Sequence, residues 1–502
     1  MILSCPWNKR IPPGVSWVLL ILGVGAAVHL GLTRYFDQDE LEHLHAAWCI
    51  SKGLVPYKDF FEHHTPWYHY LIGQFFRFFS VETDWTSALR FFTFARIISL
   101  LAACTGLGLV FLLGKLWYST SCGVVAVILL ASAGTFHGKM IETRPDVFAF
   151  VFIMAGFIAL TQCISVPRRG RLASTTAFLL AGFFFGCAIM FTQKALFILP
   201  GLGIGLGAYA FCAGENKARV HRVFQLAVFS FGTVVPSALT YAYFSSHNAG
   251  NLFIENNFLL NAKWPYQQPV SFILKRVISE SWALSIVGMW GYVAFILSRL
   301  NSHGEDWIGV VIATTFVGLL FGLMVIPVAQ RQYYMMLMPL LCLLGGRALV
   351  LVLDGLDVRL HVPVFATVGL IYCLAIFGML RLSGRTNDQQ LAAMRFVYEQ
   401  SAPADRVLSG WQILGTFRPH FWYYFFLHQE VQLVIPSEVR NAFISRLQNQ
   451  ATLPQVIVLD ADLATFLGES VQSVTRGYRS KEFRVSSPDL THLKVYYRER
   501  HE

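Results

Sequence analysis

The sequence predicts an all-α polytopic membrane domain of about eleven transmembrane helices, with interfacial helices in its first outer loop, followed by a small C-terminal α/β domain outside the bilayer. Three observations carry that prediction. Hydrophobic residues make up 55% and charged residues 14% of the 502, at a mean hydropathy of +0.52, more apolar surface than one soluble core can hide. The apolar residues fall in blocks of roughly 17 to 22 between short charged turns, the length a helix needs to cross about 30 Å of hydrocarbon. From residue 385 the chain turns polar and turn-rich.

Spans are expected at 15–33, 88–113, 120–136, 147–164, 173–192, 195–213, 223–244, 281–298, 307–327, 333–353 and 362–382. Helices rather than barrel strands fit blocks of this length. With the N-terminus inside, the inner turns collect Lys9, Arg10, Lys115, Arg168, Arg169, Arg171, Lys217, Arg219, Arg222, Arg299, Arg347 and Arg359, as the positive-inside rule requires. Anchoring thus accounts for much of the formal charge of +10, and nucleic acid is not an expected partner. The first apolar block has no small-residue cleavage motif and is read as a retained span, not a signal peptide.

An odd number of spans puts the loop 34–87, the turn 137–146, the loop 245–280 and the tail on one outer face. The expected domains are 1–384, in the membrane, and 385–502, soluble. Within the tail, 455–459 ending at Asp460 and 431–435 ending at Pro436 read as buried strands; 388–400 and 438–449 read as helices. The nine cysteines are scattered singly and suggest neither a disulfide framework nor a zinc site. Gly201, Gly203, Gly205 and Gly207 have the small-residue spacing of closely packed helices. No repeat and no Gly-rich nucleotide loop is present.

The chemistry gathers on the outer face. Asp37, Asp39, Glu40 and Glu42 crowd the start of the first loop, and a helix from 39 would put Asp39, Glu42 and His43 on one side. Carboxylates forced together at a low-dielectric boundary bind a cation, attract a positive group or hold a raised pKa, as a general base requires. The plainer alternative makes Asp37 or Asp39 a helix N-cap. Tyr57, Glu62, His63 and His64 follow in an aromatic, polar turn suited to an interface. Glu62, His63 and His64 are candidate metal ligands, without the HExxH spacing of a known zinc motif. Arg144 and Asp146 flank Pro145, a first-turn proline, so Asp146 is also explained by the macrodipole of the next helix. Lys194 and Arg331, the latter near Tyr334, stand at outer ends of spans, where they snorkel or hold a lipid phosphate.

At these residues the chain resembles the C-type integral membrane glycosyltransferases, the group containing protein O-mannosyltransferases and the transferase that adds aminoarabinose to lipid A. Asp39 and Glu40 directly after the first span are similar to that group's acidic pair. The run from Glu42 and His43 through Gly53, Pro56, Tyr57, Asp59, Phe60 and Phe61 to Pro66, the Arg144–Asp146 turn, Thr192 to Lys194, and Arg331 to Pro339 look like a bacterial subgroup. The resemblance implies an inverting transfer from a polyprenyl-phosphate sugar, with Asp39 as base, Glu40 as its helper, Asp146 as a second carboxylate, and Lys194 and Arg331 on the phosphate. The residues around them (Asp37, Glu42, His43, Tyr57, His63, His64, Arg144 and Tyr334) become candidates for substrate contact. A departure is Asp37, a carboxylate beyond the pair, which leaves two candidates for the base. The implied partners are a polyprenyl-phosphate-linked sugar, an acceptor glycan, lipid or protein, and membrane lipid. No cofactor is fixed, and a divalent metal stays open. The implied location is the bacterial inner membrane, with site and tail on the periplasmic face.

Two other classes stand beside this reading. A transporter or flippase needs ionisable groups at span centres and repeated halves; here the acids gather at one surface. A non-catalytic assembly protein would use the outer domain to hold a partner.

Overall fold

The computed structural model describes residues 13–164, 170–214, 216–264, 269–301, 306–326, 330–356, 386–449, 453–484 and 492–499, with 367, 369–374, 376–378 and 380 of the last predicted span. Lys9, Arg10, Arg168, Arg169 and Arg359, and the expected domain boundary at 384/385, lie outside the described residues. The chain opens with helix α1 (Pro13–Thr33), followed by α2 (Gln38–Ser51) and α3 (Trp67–Gly73) in the first loop, then α4 (Trp85–Trp117), α5 (Thr120–Ala131), α6 (Gly134–Met140), α7 (Pro145–Ile164), α8 (Arg171–Phe191), α9 (Ile198–Cys212) and α10 (Asn216–Ser246).

Among the described residues, eight helices are long and apolar enough to cross a membrane: α4, α7, α8, Gln193–Cys212, which includes α9, Ala218–Ser246 within α10, Trp282–Asn301, Trp307–Val325 and Arg331–Gly355. Shorter apolar helices at Ile21–Thr33 and Gly369–Gly378 mark the first and last predicted spans. The remaining one, expected at 120–136 as a single span, is instead the pair α5 and α6, bent by 76°. Ser132 and Ala133 interrupt the helix there, and the Ser132 hydroxyl donates to the Leu129 carbonyl at 2.8 Å, a side-chain bond of the kind found at sharp bends. The bend carries the polar stretch 137–146 to the end of α1, where Arg34 Nη1 donates to the Gly138 carbonyl at 2.8 Å.

Of the four spaced glycines, two make the close contact. A Cβ at Gly201 would stand 2.2 Å from the Thr314 carbonyl oxygen and one at Gly205 2.5 Å from Thr314 Oγ1, whereas Gly203 and Gly207 face open space. The i, i+4 pair is the seam, closing α9 on Trp307–Val325.

The tail holds a four-stranded sheet in the order β1 (Val407–Ser409), β2 (Val456–Leu459), β4 (Leu493–Tyr497), β3 (Arg479–Phe483), with β1 parallel to β2 and the other pairs antiparallel. Strand β2 ends where expected, and Asp460 caps the next helix by accepting from the Leu463 amide at 2.9 Å. The helices predicted at 388–400 and 438–449 form as Asp388–Glu399 and Ser437–Gln448. The expected strand at 431–435 is a correction: Gln429–Val434 is helical. Val431 and Ile435 are buried while Leu433 is 56% exposed, a period of four, not two.

The tail packs on the first loop. The Phe61 amide donates to the Tyr423 carbonyl at 2.9 Å and the Tyr423 hydroxyl to the Tyr57 carbonyl at 2.6 Å. Arg418, buried, reaches the carbonyls of Glu82, Tyr398 and Ser401. One continuous apolar core runs from the spans through the loop into the sheet.

Candidate active site

Helix α2 begins with a reciprocal cap. Asp37 Oδ1 accepts from the Asp39 amide at 3.2 Å and Glu40 Oε1 accepts from the Asp37 amide at 2.9 Å, satisfying donors that a helix start leaves open. Glu40 then meets Arg96 of α4 through Nη2 at 2.7 Å and Nε at 2.9 Å, while its Oε2 also accepts from the Thr143 amide at 3.0 Å. Each oxygen of Glu40 therefore takes two donors. Burial works to raise this carboxyl, but Arg96 and the hydrogen bonds outweigh it and hold it below the usual range. Arg96 uses its remaining N–H groups on the carbonyls of Gly31, Arg34 and Tyr35, so one guanidinium closes the end of α1 and anchors the start of α2.

Arg144 gathers the other acids. It is 2% exposed, and its Nη1 lies 2.6 Å from Asp39 Oδ2, its Nη2 2.8 Å from Asp37 Oδ1, and its Nε against Glu142. Glu142 also pairs with Lys139 at 2.9 Å and Arg34 at 3.1 Å, and Lys139 reaches Asp37 at 3.3 Å. Two residues past Arg144, Asp146 meets Lys194 at 3.4 Å and the Thr192 hydroxyl at 3.5 Å. Asp37, Asp39 and Asp146 all face Arg144 electrostatically, so the α2 start, the α6–α7 turn and the α8–α9 junction meet in one cluster. Solvent reaches it at partly open edges: the side chains of Asp39, Lys194, Asp37 and His64 are 22%, 19%, 18% and 14% exposed. Burial raises Asp37, yet Lys139, Arg144 and Arg34 overcome that and hold it well below the ordinary carboxylate range.

Beside this lies a cluster of histidines and glutamates. Glu62 accepts from the His63 and His64 amides at 2.9 Å each and meets His64 Nδ1 at 2.8 Å. Glu42 stands 3.5 Å from His64, and His43 Nδ1 lies 3.0 Å from His69 Nε2. Burial, and then the repulsion of Glu62, push Glu42 well above the normal range; Glu62 is also raised by burial. Burial holds the imidazoles low, His64 at about 3 and His69 at about 4. Ligand atoms of Glu42, Glu62, His63 and His64 all lie within 4.8 Å of one another. Glu42 Oε1, Glu62 Oε2 and His63 Nδ1 are buried without a hydrogen-bond partner. A hard-to-borderline divalent cation fits this donor set.

The remaining sequence candidates are placed as follows. Tyr57 adopts a positive φ of 70° and donates its hydroxyl to the His64 carbonyl at 2.8 Å, so it shapes the loop that carries the histidines. The His63 carbonyl accepts from Gln193 at 2.9 Å and Asn261 at 2.8 Å, tying the loop to the neighbour of Lys194 and to the 245–280 segment. Arg331 opens a short turn, Arg331–Tyr333, packed against α6, and Tyr334 is buried beside it. A crevice of about 480 Å³ opens elsewhere, between Ser51, Lys52, Arg77 and Glu82. Sequence reasoning missed Arg96 and His69. An arginine inside an apolar span is a signal of its own; His69 offers none beyond being a fifth histidine in its loop.

No family model and no curated protein matches the sequence. Solved structures resemble the fold. ArnT from Cupriavidus metallidurans, a lipid A aminoarabinose transferase bound in that structure to undecaprenyl phosphate, matches with a TM-score of 0.63 and 12% identity, over 96% of this chain and 97% of its own. The oligosaccharyltransferase AglB from Archaeoglobus fulgidus, in complex with an inhibitory peptide and a dolichol-phosphate, matches with a TM-score of 0.58 and 12% identity over 96% of this chain and 74% of its own. The Archaeoglobus fulgidus oligosaccharyltransferase in complex with zinc and sulfate matches with a TM-score of 0.56 and 13% identity over 94% and 72%. A likeness at such identity is one of architecture, and it agrees with the spans: the chain is a multi-pass membrane protein with the GT-C fold of ArnT and AglB.

Proposed function

We propose that the chain is an inverting glycosyltransferase that moves a sugar from a polyprenyl-phosphate donor to an acceptor hydroxyl at the non-cytoplasmic face of a bacterial inner membrane. The observation that carries the reading is a partly open carboxylate, Asp39, beside a second carboxylate–cation pair, Asp146 and Lys194, at one end of a bundle of apolar spans. The fold supports it, because ArnT and AglB bind undecaprenyl phosphate and dolichol-phosphate on the same architecture.

In the reaction, the acceptor oxygen forms a bond to the anomeric carbon from the side opposite the phosphate. The bond from that carbon to the phosphate oxygen breaks, and its electron pair leaves with the polyprenyl phosphate. The acceptor proton passes to Asp39. Asp37 is a poorer acceptor, since it caps α2 and is held ionised by three cations. Glu40, with both oxygens engaged, positions α2. Lys194 and Arg331 are the groups for the departing phosphate charge. Where Glu42, Glu62, His63 and His64 hold a divalent cation, it would supply further positive charge at the site. The unit from 386 onward supports the loop that carries these groups.

Purified protein incubated with candidate polyprenyl-linked sugars, with release of polyprenyl phosphate followed by mass spectrometry, tests the reading. Cell-envelope glycans and glycolipids compared with and without the gene identify the product. A protein that binds no polyprenyl phosphate and an envelope unchanged by loss of the gene would together remove it.

A further inference from the structure

Outside the proposed active site, α2 carries a second group of metal-binding side chains that the reaction does not use. His45 and Cys49, one turn apart, face His420 from the tail. His45 Nε2 lies 3.0 Å from His420 Nδ1, and Cys49 Sγ lies 3.5 Å from His45 Nε2 and 3.7 Å from His420 Nδ1. Tetrahedral zinc, with bonds of about 2.0–2.1 Å to nitrogen and 2.3 Å to sulfur, sets its ligands about 3.3 Å apart for two nitrogens and about 3.6 Å for nitrogen and sulfur. The observed triangle has that size and the right asymmetry, its short edge between the nitrogens.

The second independent sign is the orientation of His45. Its Nδ1 lies 2.8 Å from the Thr416 carbonyl oxygen. A carbonyl accepts only from N–H, so the proton sits on Nδ1 and the lone pair of Nε2 points into the triangle. A backbone carbonyl on the far nitrogen is how metal-bound imidazoles are commonly oriented.

We propose that His45, Cys49 and His420 bind a zinc-class divalent cation that staples the first-loop helix to the tail. On binding, the Cys49 thiol gives its proton to solvent and ligates as thiolate; His45 and His420 ligate through Nε2 and Nδ1. Three ligands leave one position for water, on the side where His420 is only partly buried. The ligands come from positions up to 375 residues apart in the chain, so the cation joins the first loop to the tail across that separation.

The test uses the full chain in detergent, stripped with chelator and reloaded with cobalt(II) alone. Among the described metal-binding groups, only this one contains sulfur. A thiolate-to-cobalt charge-transfer band is expected in the parent and in Glu62→Gln, whose change lies in the other cluster, and is lost in Cys49→Ser. Zinc content of the protein as purified is expected to fall by one equivalent in Cys49→Ser. If Cys49→Ser does not accumulate, His420→Ala takes its place, with loss or marked shift of the same band expected. Absence of the band from the parent, or its unchanged persistence in either variant, overturns the proposal.

Discussion

Asp37 and Asp39 are two residues apart and share Arg144, yet different forces hold them. Asp37 is an N-cap inside a ring of cations; Asp39 has one guanidinium contact and the more open edge. Asp39→Asn keeps an oxygen for Arg144 and removes the proposed proton acceptor. Transfer is expected to fall by about 100-fold or more with membrane insertion and melting temperature nearly unchanged; normal turnover takes Asp39 out of the mechanism. Lys194→Ala is expected to weaken donor binding by about 10- to 100-fold while acceptor affinity holds, read by direct binding of polyprenyl-phosphate probes. Asp37→Asn retains the cap and loses the ion pairs, at a cost of about 1 to 2 kcal/mol at neutral pH. Because the folded value of Asp37 lies below the unfolded one, the parent's advantage is complete above the ordinary value near 3.9 and fades as pH falls through the folded value. Denaturant melts at pH 7 and pH 3 check this, and a deficit equal at both would contradict it.

At the scale of elements, a buried ion pair joins α2 to α4. Glu40 is fully buried, and Arg96, 3% exposed, is its counter-ion. Arg96→Met leaves that carboxylate without its counter-ion and frees three carbonyls, and a loss of about 3–5 kcal/mol is expected. Adding Glu40→Gln should restore part of it, a coupling that a double-mutant cycle measures; additive losses would mean the two act separately. Element positions were largely legible because periodicity and block length report burial directly. The spans, the capped start of α2, Pro145 at the head of α7 and the strand ending at Asp460 all follow from local chemistry. What stayed hidden depended on distant partners. The span at 120–136 hides a bend because Ser132 and Ala133, where the helix breaks, are individually ordinary in a span. Val431 to Ile435 misled because an apolar run that short serves either period.

For the whole molecule, the sequence placed the acidic residues on one face, and the structure brings Asp37, Asp39, Glu142 and Asp146 together from two chain segments. It could not assign partners among them, because Arg144 lies 107 residues from Asp37 and pairing across such separations leaves no local pattern. For the same reason the tail's hold on the first loop through Tyr423 and Arg418 had no signal in composition.

The ion-pair cluster has four carboxylates, Asp37, Asp39, Glu142 and Asp146, against four cations, Arg34, Lys139, Arg144 and Lys194. At rest it is a neutral, self-contained knot, and a base whose lone pair is lent to a guanidinium is switched off. Under the proposed reaction, an incoming phosphate would claim positive charge and so unlock a carboxylate at the moment there is a leaving group to use it. The sugar donor would then arrive first and arm the site for the hydroxyl. Steady-state patterns should show compulsory order, and an acceptor that binds productively to the empty protein would break that logic.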